Sequence, residues 1–267
     1  MQIEKKIFNS LVHEWRDSGI EPSDIVLIHS SLSKLFKKII KDFNTRPPIG
    51  LILDSLIEAV TDKGTILLPL FNFDFPKKNF FDIRNTPSQM GILTEIARKK
   101  KNVIRTGHPI YSFCALGKHS KEFQGIDNES GYGHDSPFAK INEMDGKIAV
   151  IGLDDQHSMT SYHYVEECNQ VDYRYYKSFT GDYVKEDGIK IEKTYTLYVR
   201  DIKRGVKTDV NRMMDFLWLK GLYIGKKPNE GYGMRTIKFN SLYQQTENII
   251  KSGNAKNYLF SIIKDDK

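Results

Sequence analysis

The segment IVLIHSSLSK, residues 25–34, sets the reading of this chain. Its four leading apolar residues, Ile25 to Ile28, are too few for a helix and enough for a buried strand. They run directly into His29, Ser30, Ser31, Leu32, Ser33 and Lys34, where small hydroxyl residues open toward a helix. Three more runs share this character: TILLPL (65–70), Val103-Ile104 and IAVIGL (148–153), each bounded by turn residues. Strands that are apolar throughout belong to a sheet covered on both faces, which is the habit of parallel sheets. Helical patterns fill the intervals at 3–14, 48–61, 89–100 and 117–124. Pro47-Pro48 suits a helix entry and Lys63-Gly64 its exit. The alternation predicts an α/β fold, a three-layer α/β/α sandwich around a mostly parallel central sheet.

The texture changes after Tyr162. Residues 175–183 and 189–199 read as extended segments joined at Glu186-Asp187-Gly188, an antiparallel C-terminal excursion. Residues 209–221 and 241–252 read as helices. With no internal repeat, low-complexity tract or Gly/Ser linker, the expectation is one domain over 1–267.

Composition bounds the function classes. The chain has 267 residues, 39% of them hydrophobic, 12% aromatic and 28% charged, with a net charge of +6 and a pI of 9.0. So much apolar and aromatic surface excludes a disordered chain. No run approaches the roughly 20 apolar residues that span a bilayer. The opening MQIEKKIFNSLVHEW lacks the apolar stretch of a signal peptide. Two cysteines, Cys114 and Cys168, make neither a disulfide framework nor a thiolate zinc site. These features predict a cytoplasmic globular protein without membrane insertion. The lysines are spread along the chain and no interleaved basic and aromatic motif occurs, so no nucleic-acid partner is expected.

Four segments carry candidate chemistry. The residues His29 to Lys34 follow a strand and precede a helix, where backbone N–H groups and the helix dipole form an anion cradle. An ordinary serine cap fits the same residues, and the spacing is neither a P-loop nor a dinucleotide fingerprint. Arg105, with Gly107, His108 and Ser112, follows the 103–104 strand. Arg105 suits a phosphate clamp or a surface ion pair. The loop 131–137, GYGHDSP, suits a ligand-lining segment or any tight connection ahead of a helix.

The fourth segment, DDQHSMTSYHYVEE (154–167), follows IAVIGL at the sheet edge where open α/β sheets bind ligands. A helix from Met159 puts Thr160, His163 and Glu166 on one face. A histidine beside a carboxylate has a raised proton affinity, as a general base requires. The same pair fits a structural histidine or half of a metal site. No Lys or Arg lies between Lys147 and Arg174, whereas Asp154, Asp155, Glu166, Glu167 and Asp172 are acidic. This reads as a local negative patch attractive to a cationic or amino-bearing substrate, or as a chance clustering of acids. Cys168 stands five residues from His163, about 140° away around a helix, which disfavours a Cys–His nucleophile.

Taken in order, 25–34, GTILLPLF (64–71), TPSQMGILTEIARKKKNVIRTGHPIYSFCALGKHS (86–120), GHDSPFAKI (133–141) and 146–166 resemble the aminoglycoside 3-N-acetyltransferase family. The resemblance implies the antibiotic acetyltransferase fold, distinct from the GNAT fold. It also implies acetyl-CoA-dependent N-acetylation of a primary amine by direct attack, with acetyl-CoA as co-substrate and no metal. Carried onto this chain, His163 becomes the general base, and Glu166 or a later acid such as Asp209 orients it. Thr160 stands near the thioester carbonyl. His29, Ser30, Ser31, Leu32, Ser33, Lys34, Arg105, His108 and Ser112 hold coenzyme A, while Asp154, Asp155, His157 and Glu167 face the acceptor. Residues 1–173 then form the coenzyme-binding core and 174–267 the acceptor side, and a homodimer is compatible. The acceptor implied is an amino sugar: an aminoglycoside, with antibiotic resistance as the role, or a nucleotide- or lipid-linked amino sugar of a surface polysaccharide. The rivals are a non-catalytic coenzyme A or sugar-phosphate binding protein and a Cys168-dependent acyltransferase or hydrolase.

Overall fold

The computed structural model describes residues 2–263. The strands are β1 (Ile25–Ser30), β2 (Thr65–Pro69), β3 (Phe80–Asp82), β4 (Ile104–Arg105), β5 (Phe113–Gly117), β6 (Lys147–Ile151), β7 (Arg174–Val184), β8 (Lys190–Arg200), β9 (Val206–Thr208), β10 (Ile224–Gly225), β11 (Met234–Lys238) and β12 (Phe260–Ile262). The helices are α1 (Gln2–Asp17), α2 (Leu32–Phe43), α3 (Ile49–Val60), α4 (Phe75–Lys78), α5 (Ile92–Arg98), α6 (Pro137–Glu143), α7 (Ser161–Cys168), α8 (Asn211–Leu219), α9 (Phe239–Lys251) and α10 (Ala255–Tyr258).

The central sheet has the order β10-β11-β6-β1-β2-β5-β4. Its heart, β6-β1-β2, is parallel; β5 runs against β2, β4 against β5, β11 against β6 and β10 against β11. Five of its seven strands (β1, β2, β4, β6 and β10) therefore point the same way. Side-chain alternation divides the core into two layers. Leu27, Leu67, Ile148 and Val150 pack with Phe138, Val165 and Phe239 of α6, α7 and α9. Val26, Ile28, Ile66 and Leu68 pack with Trp15, Ile39 and Leu56 of α1, α2 and α3. Each such fully buried side chain contributes about 1.5–3 kcal/mol. The three-layer sandwich follows from strands that are apolar on both faces.

The predicted hairpin is β7–β8, eleven paired residues long, joined by β3 into a second sheet; β9 and β12 form a separate pair. Three segments differ from expectation. The pattern at 117–124 is not an α-helix: Gly117 closes β5, and only the 3₁₀ turn Ser120–Phe123 follows. The core reading of Cys114 holds, but the whole FCALG run (113–117) is a sheet strand, antiparallel to β2. Residues 234–238 also return to the central sheet beside β6. Met234, Arg235, Thr236 and Ile237 lack a continuous apolar run, so periodicity alone did not mark them.

Helix α2 shows why the site edge is built as it is. Leu32, Leu35, Phe36 and Ile39 recur at helical spacing and are buried. Asn44, left-handed at φ 51°, ends the helix, its N–H donating to the Ile40 carbonyl at 2.8 Å. At the other end Ser31 occupies the cap position, yet its hydroxyl makes no capping bond. The first-turn N–H groups of α2 are thus left for another partner.

Candidate active site

The carboxyl ends of β1, β2 and β6 meet at one edge. The exit of β6 is held against that of β1 by the Ser31 N–H, which donates to the Ile151 carbonyl at 2.8 Å. Gly152 follows at φ 68°, and a Cβ there would lie 2.8 Å from the Ser31 carbonyl oxygen. Only glycine lets the two loops approach so closely. A cavity of about 680 Å³ opens at this edge, lined by His29, Ser30, Ser31, Leu32 and Ser33 and by Phe36 and Lys37 of α2. Arg46, residues 89–94 and His157 complete its walls. The cations Lys37 and Arg46 lie along and beyond α2, with Arg46 4.4 Å from the Phe36 ring. Lys34 points elsewhere: its Nζ donates to Asn229 Oδ1 at 2.7 Å and to the Pro228 carbonyl at 3.1 Å.

His163 lies on α7, on the face of the sheet that also carries Leu27 and His29. Its Nδ1 is 2.7 Å from Glu166 Oε2, and 19% of its side chain stays exposed. Arg174, the first residue of β7, places Nε 2.7 Å from the same carboxylate oxygen and another guanidinium nitrogen 2.8 Å from His163 Nδ1. It also donates to the Tyr198 carbonyl at 3.0 Å. Nδ1 cannot both donate to Glu166 and accept from Arg174. We assign its proton toward Glu166, because a bond to an ionised carboxylate is the stronger one. That tautomer leaves the Nε2 lone pair free to take a proton.

The charge balance here differs from expectation. Burial lowers the proton affinity of His163, Arg174 lowers it further, and the Glu166 hydrogen bond only partly offsets them. The result is a neutral imidazole, not one charged by its carboxylate. Burial pushes Glu166 up, but Arg174 and His163 outweigh it and hold the carboxyl below its ordinary value. The expected negative patch is dismantled by the fold. Asp155 and Arg235 form a fully buried ion pair at 2.7 Å, with the Tyr162 and Tyr223 hydroxyls donating to Asp155 as well. Asp155 therefore cannot face an acceptor. Glu167 accepts from Ser130 at 2.8 Å and Asp172 pairs with Arg204. Asp154 engages His157 at 2.5 Å, leaving His157 as an exposed rim residue.

Three other expected residues are structural. Arg105 is buried, with its guanidinium donating to the Ile83 and Thr86 carbonyls and to Ser112 Oγ. That leaves one guanidinium N–H, not the two-donor face of a phosphate clamp. His108 accepts the Ile110 and Tyr111 N–H groups and is fully buried, as is Ser112. Asp209 precedes α8, its N–H donating to the Leu259 carbonyl, and makes no contact with His163. Thr160 precedes α7 and its carbonyl accepts the His163 N–H at 2.9 Å, which ties it to His163 through the backbone. Cys168 is exposed at the end of α7 beside Tyr164 and Tyr243, and partial desolvation there pushes its thiol up. It has no contact with His163.

A row of rings runs from the cavity to His163. His29 and Phe71 lie 6.4 Å apart, Phe71 and Tyr111 4.6 Å, Tyr111 and Tyr132 4.8 Å, and Tyr132 and His163 5.3 Å between centroids. Tyr132 belongs to the GYGHDSP loop, whose Ser136 caps α6 by accepting the Ala139 N–H. Sequence reasoning missed Arg174, Tyr111, Tyr132, Lys37 and Arg46. The only signal for Arg174 was that it ends the cation-free interval after Lys147.

Comparison with known proteins agrees with the fold. The family model described as aminoglycoside 3-N-acetyltransferase matches residues 27–222, most of the chain. The chain belongs to the aminoglycoside 3-N-acetyltransferase family. It is 28% identical over 180 residues to the SPbeta prophage-derived aminoglycoside N(3')-acetyltransferase-like protein YokD of Bacillus subtilis, covering 59% of this chain and 63% of that protein. It is 25% identical over 176 residues to aminoglycoside N(3)-acetyltransferase IX of Micromonospora chalcea, covering 58% of this chain and 59% of that protein. The matches thus span less than two thirds of either relative. Among solved structures, that of aminoglycoside acetyltransferase AAC(3)-Xa superposes with a TM-score of 0.76 at 18% identity over 92% of both chains. The binary complex of AAC-IIIb with CoASH superposes at 0.75 and 17% identity, over 92% of this chain and 96% of the other. At such identities these family structures attest the fold. Among the described residues, no helix is long and apolar enough to cross a membrane.

Proposed function

We propose that this protein transfers the acetyl group of acetyl-CoA to a primary amine of an amino sugar, with His163 as the general base. The observation that carries the reading is the neutral, partly accessible His163 imidazole, oriented through Nδ1 by a carboxylate that Arg174 neutralises. An alkylamine near neutral pH is almost wholly protonated, with a pKa of about 10, and needs a base to become nucleophilic. The edge cavity suits coenzyme A. Its Lys37 and Arg46 and the uncapped first turn of α2 fit phosphates, and Leu32, Pro69 and Leu153 add apolar wall. The co-substrate supplies an activated acyl carbon; the chain's part is to orient it, accept the amine proton and exclude water.

The acceptor is best read as an amino sugar that also bears phosphate. Asp155 and Glu166 are spent on Arg235 and Arg174, so they offer nothing to a polycation. Arg200, paired with Arg174 across the hairpin, is exposed beside the site. The names of the relatives supply the other reading, an aminoglycoside. Thiol release from acetyl-CoA with a nucleotide-linked amino sugar, and separately with a kanamycin-type amine, decides between them. His163→Ala should lower turnover by about 10²–10⁴ while coenzyme A still binds. Full turnover in that variant would remove the base; binding without turnover in the unaltered protein would point to a non-catalytic binding role.

A further inference from the structure

The bonds to Glu166 and Arg174 hold His163 at one corner only, because both meet the ring at Nδ1. The χ2 torsion of a histidine is broad, so the tilt of the imidazole is left to whatever packs on it. What packs on it is Tyr132, whose ring stands edge-on to the imidazole at 5.3 Å between centroids and 64° between planes. Tyr132 is 4% exposed and closes that flank of the histidine.

The loop that carries Tyr132 is fastened on two sides. Ser130 bridges to Thr196 of β8, the Gly131 N–H donates to the Thr196 carbonyl at 3.0 Å, and the Thr196 N–H donates to the Glu129 carbonyl at 2.8 Å. The Ser130 hydroxyl donates to Glu167 at 2.8 Å, which ties the loop to α7 one turn beyond His163. Gly131 lies flush against the hairpin, since a Cβ there would meet Leu197 Cδ2 at 2.5 Å and Tyr111 Cδ2 at 3.0 Å. The next side chain, Tyr132, is therefore directed inward among Tyr111, Phe138 and His163. The imidazole is thus gripped by its own helix, by the first residue of β7 and by this loop.

We propose that Tyr132 is a positioning residue for acyl transfer: its ring fixes the tilt of the His163 imidazole, so that Nε2 keeps one direction while Nδ1 stays on Glu166. This rests on the reading of His163 as general base. Tyr132 exchanges no proton. Burial holds its hydroxyl well above the ordinary tyrosine value, so it stays neutral wherever the enzyme works. The charges that act on His163 are Glu166 of α7, Arg174 of β7 and Arg200 of β8. Tyr132 adds none; it contributes shape and dryness, and desolvation is the largest cause of the lowered proton affinity of His163. The ring carries this role and the hydroxyl, which meets that of Tyr111, does not.

The test compares Tyr132→Phe with Tyr132→Ala, and with Leu56→Ala, a cavity in the opposite core layer. Folding is checked by circular dichroism, kcat and KM come from thiol release, and the His163 ring is titrated by NMR from pH 5 to 9. Tyr132→Phe should keep kcat within about twofold and leave the titration in place. Tyr132→Ala should lower kcat by about 10–10² with KM for acetyl-CoA unchanged. Its His163 titration should move up toward the ordinary histidine value, because water reaches the flank. Leu56→Ala should change neither. If the alanine variant does not fold, Tyr132→Leu, which refills much of the space without a flat ring, is read in its place with the same expectations. An unmoved kcat and titration on loss of the ring, equal damage in Tyr132→Phe, or an equal fall in Leu56→Ala would each overturn the proposal and leave His163 as the base. Full turnover in His163→Ala would overturn both.

Discussion

Replacing Arg174 by Met should move the acid limb of the pH–rate profile upward. Arg174 lies 2.8 Å from His163 Nδ1 and 2.7 Å from Glu166, so it opposes protonation of the imidazole and masks the carboxylate that would favour it. Removing it reverses both effects in the same direction. Two charges about 4 Å apart interact by about 4 kcal/mol at an effective dielectric of about 20, and by about 1 kcal/mol in water. Converted at 1.4 kcal/mol per pH unit, the apparent pKa should rise by roughly 1 to 3. The variant then loses activity at pH 7, because more of the base is already protonated, and regains it at higher pH. The assay is kcat/KM for acetyl transfer from pH 5 to 9, with the His163 ring proton followed by NMR as a direct titration. Arg174→Lys keeps the charge and should keep the limb near its original place. Breaking a buried pair costs about 3–5 kcal/mol, so each variant is first shown to be folded by circular dichroism. A folded Arg174→Met protein whose limb stays put, or moves to lower pH, would refute the assignment of His163 as a base held neutral by Arg174.

Two stability predictions follow from buried charge. Arg235→Met leaves Asp155 buried with only tyrosine hydroxyls for partners, and should cost about 3–5 kcal/mol in urea unfolding. Arg235→Met together with Asp155→Leu should recover much of that loss; no recovery would show that the pair is not the source. His29 and His108 are both pulled by burial from 6.5 down to about 4. Their lowered values mean that the stability they confer is fully present above pH 6.5 and is lost as the pH falls toward 4. The drop corresponds to about 3 kcal/mol for each histidine. Unfolding free energies measured from pH 7 to 4 should therefore fall steeply, and His29→Gln should make the slope shallower; a pH-independent stability over that range would contradict both burial effects.

Much of the fold was legible because its signals are local. IVLI, TILLPL and IAVIGL are short, apolar on both faces and bounded by turn residues, so they had to be covered strands. The hairpin was marked by Glu186-Asp187-Gly188 between two extended runs. His163 and Glu166 were placed together by helix spacing alone, and they do meet, at 2.7 Å. What failed was inference from the linear charge pattern. The acids at 154–172 looked like a patch because no cation is near in sequence, yet Arg174 and Arg235 arrive from the hairpin and from β11 and neutralise the innermost of them. Arg105 looked free for a phosphate because its carbonyl partners, Ile83 and Thr86, lie about twenty residues upstream.

The sequence by itself determined the layer architecture, the sheet edge at which the candidate site lies and the helical pairing of His163 with Glu166. Each depends on periodicities of two or 3.6 residues that any short window contains. Only the tertiary structure decided the protonation of His163, the solvation of the acids around it and the solitary nitrogen of His29. Those depend on desolvation and on charges a few ångströms away in space, and a buried ion pair between residues 80 positions apart leaves no trace in the order of the chain.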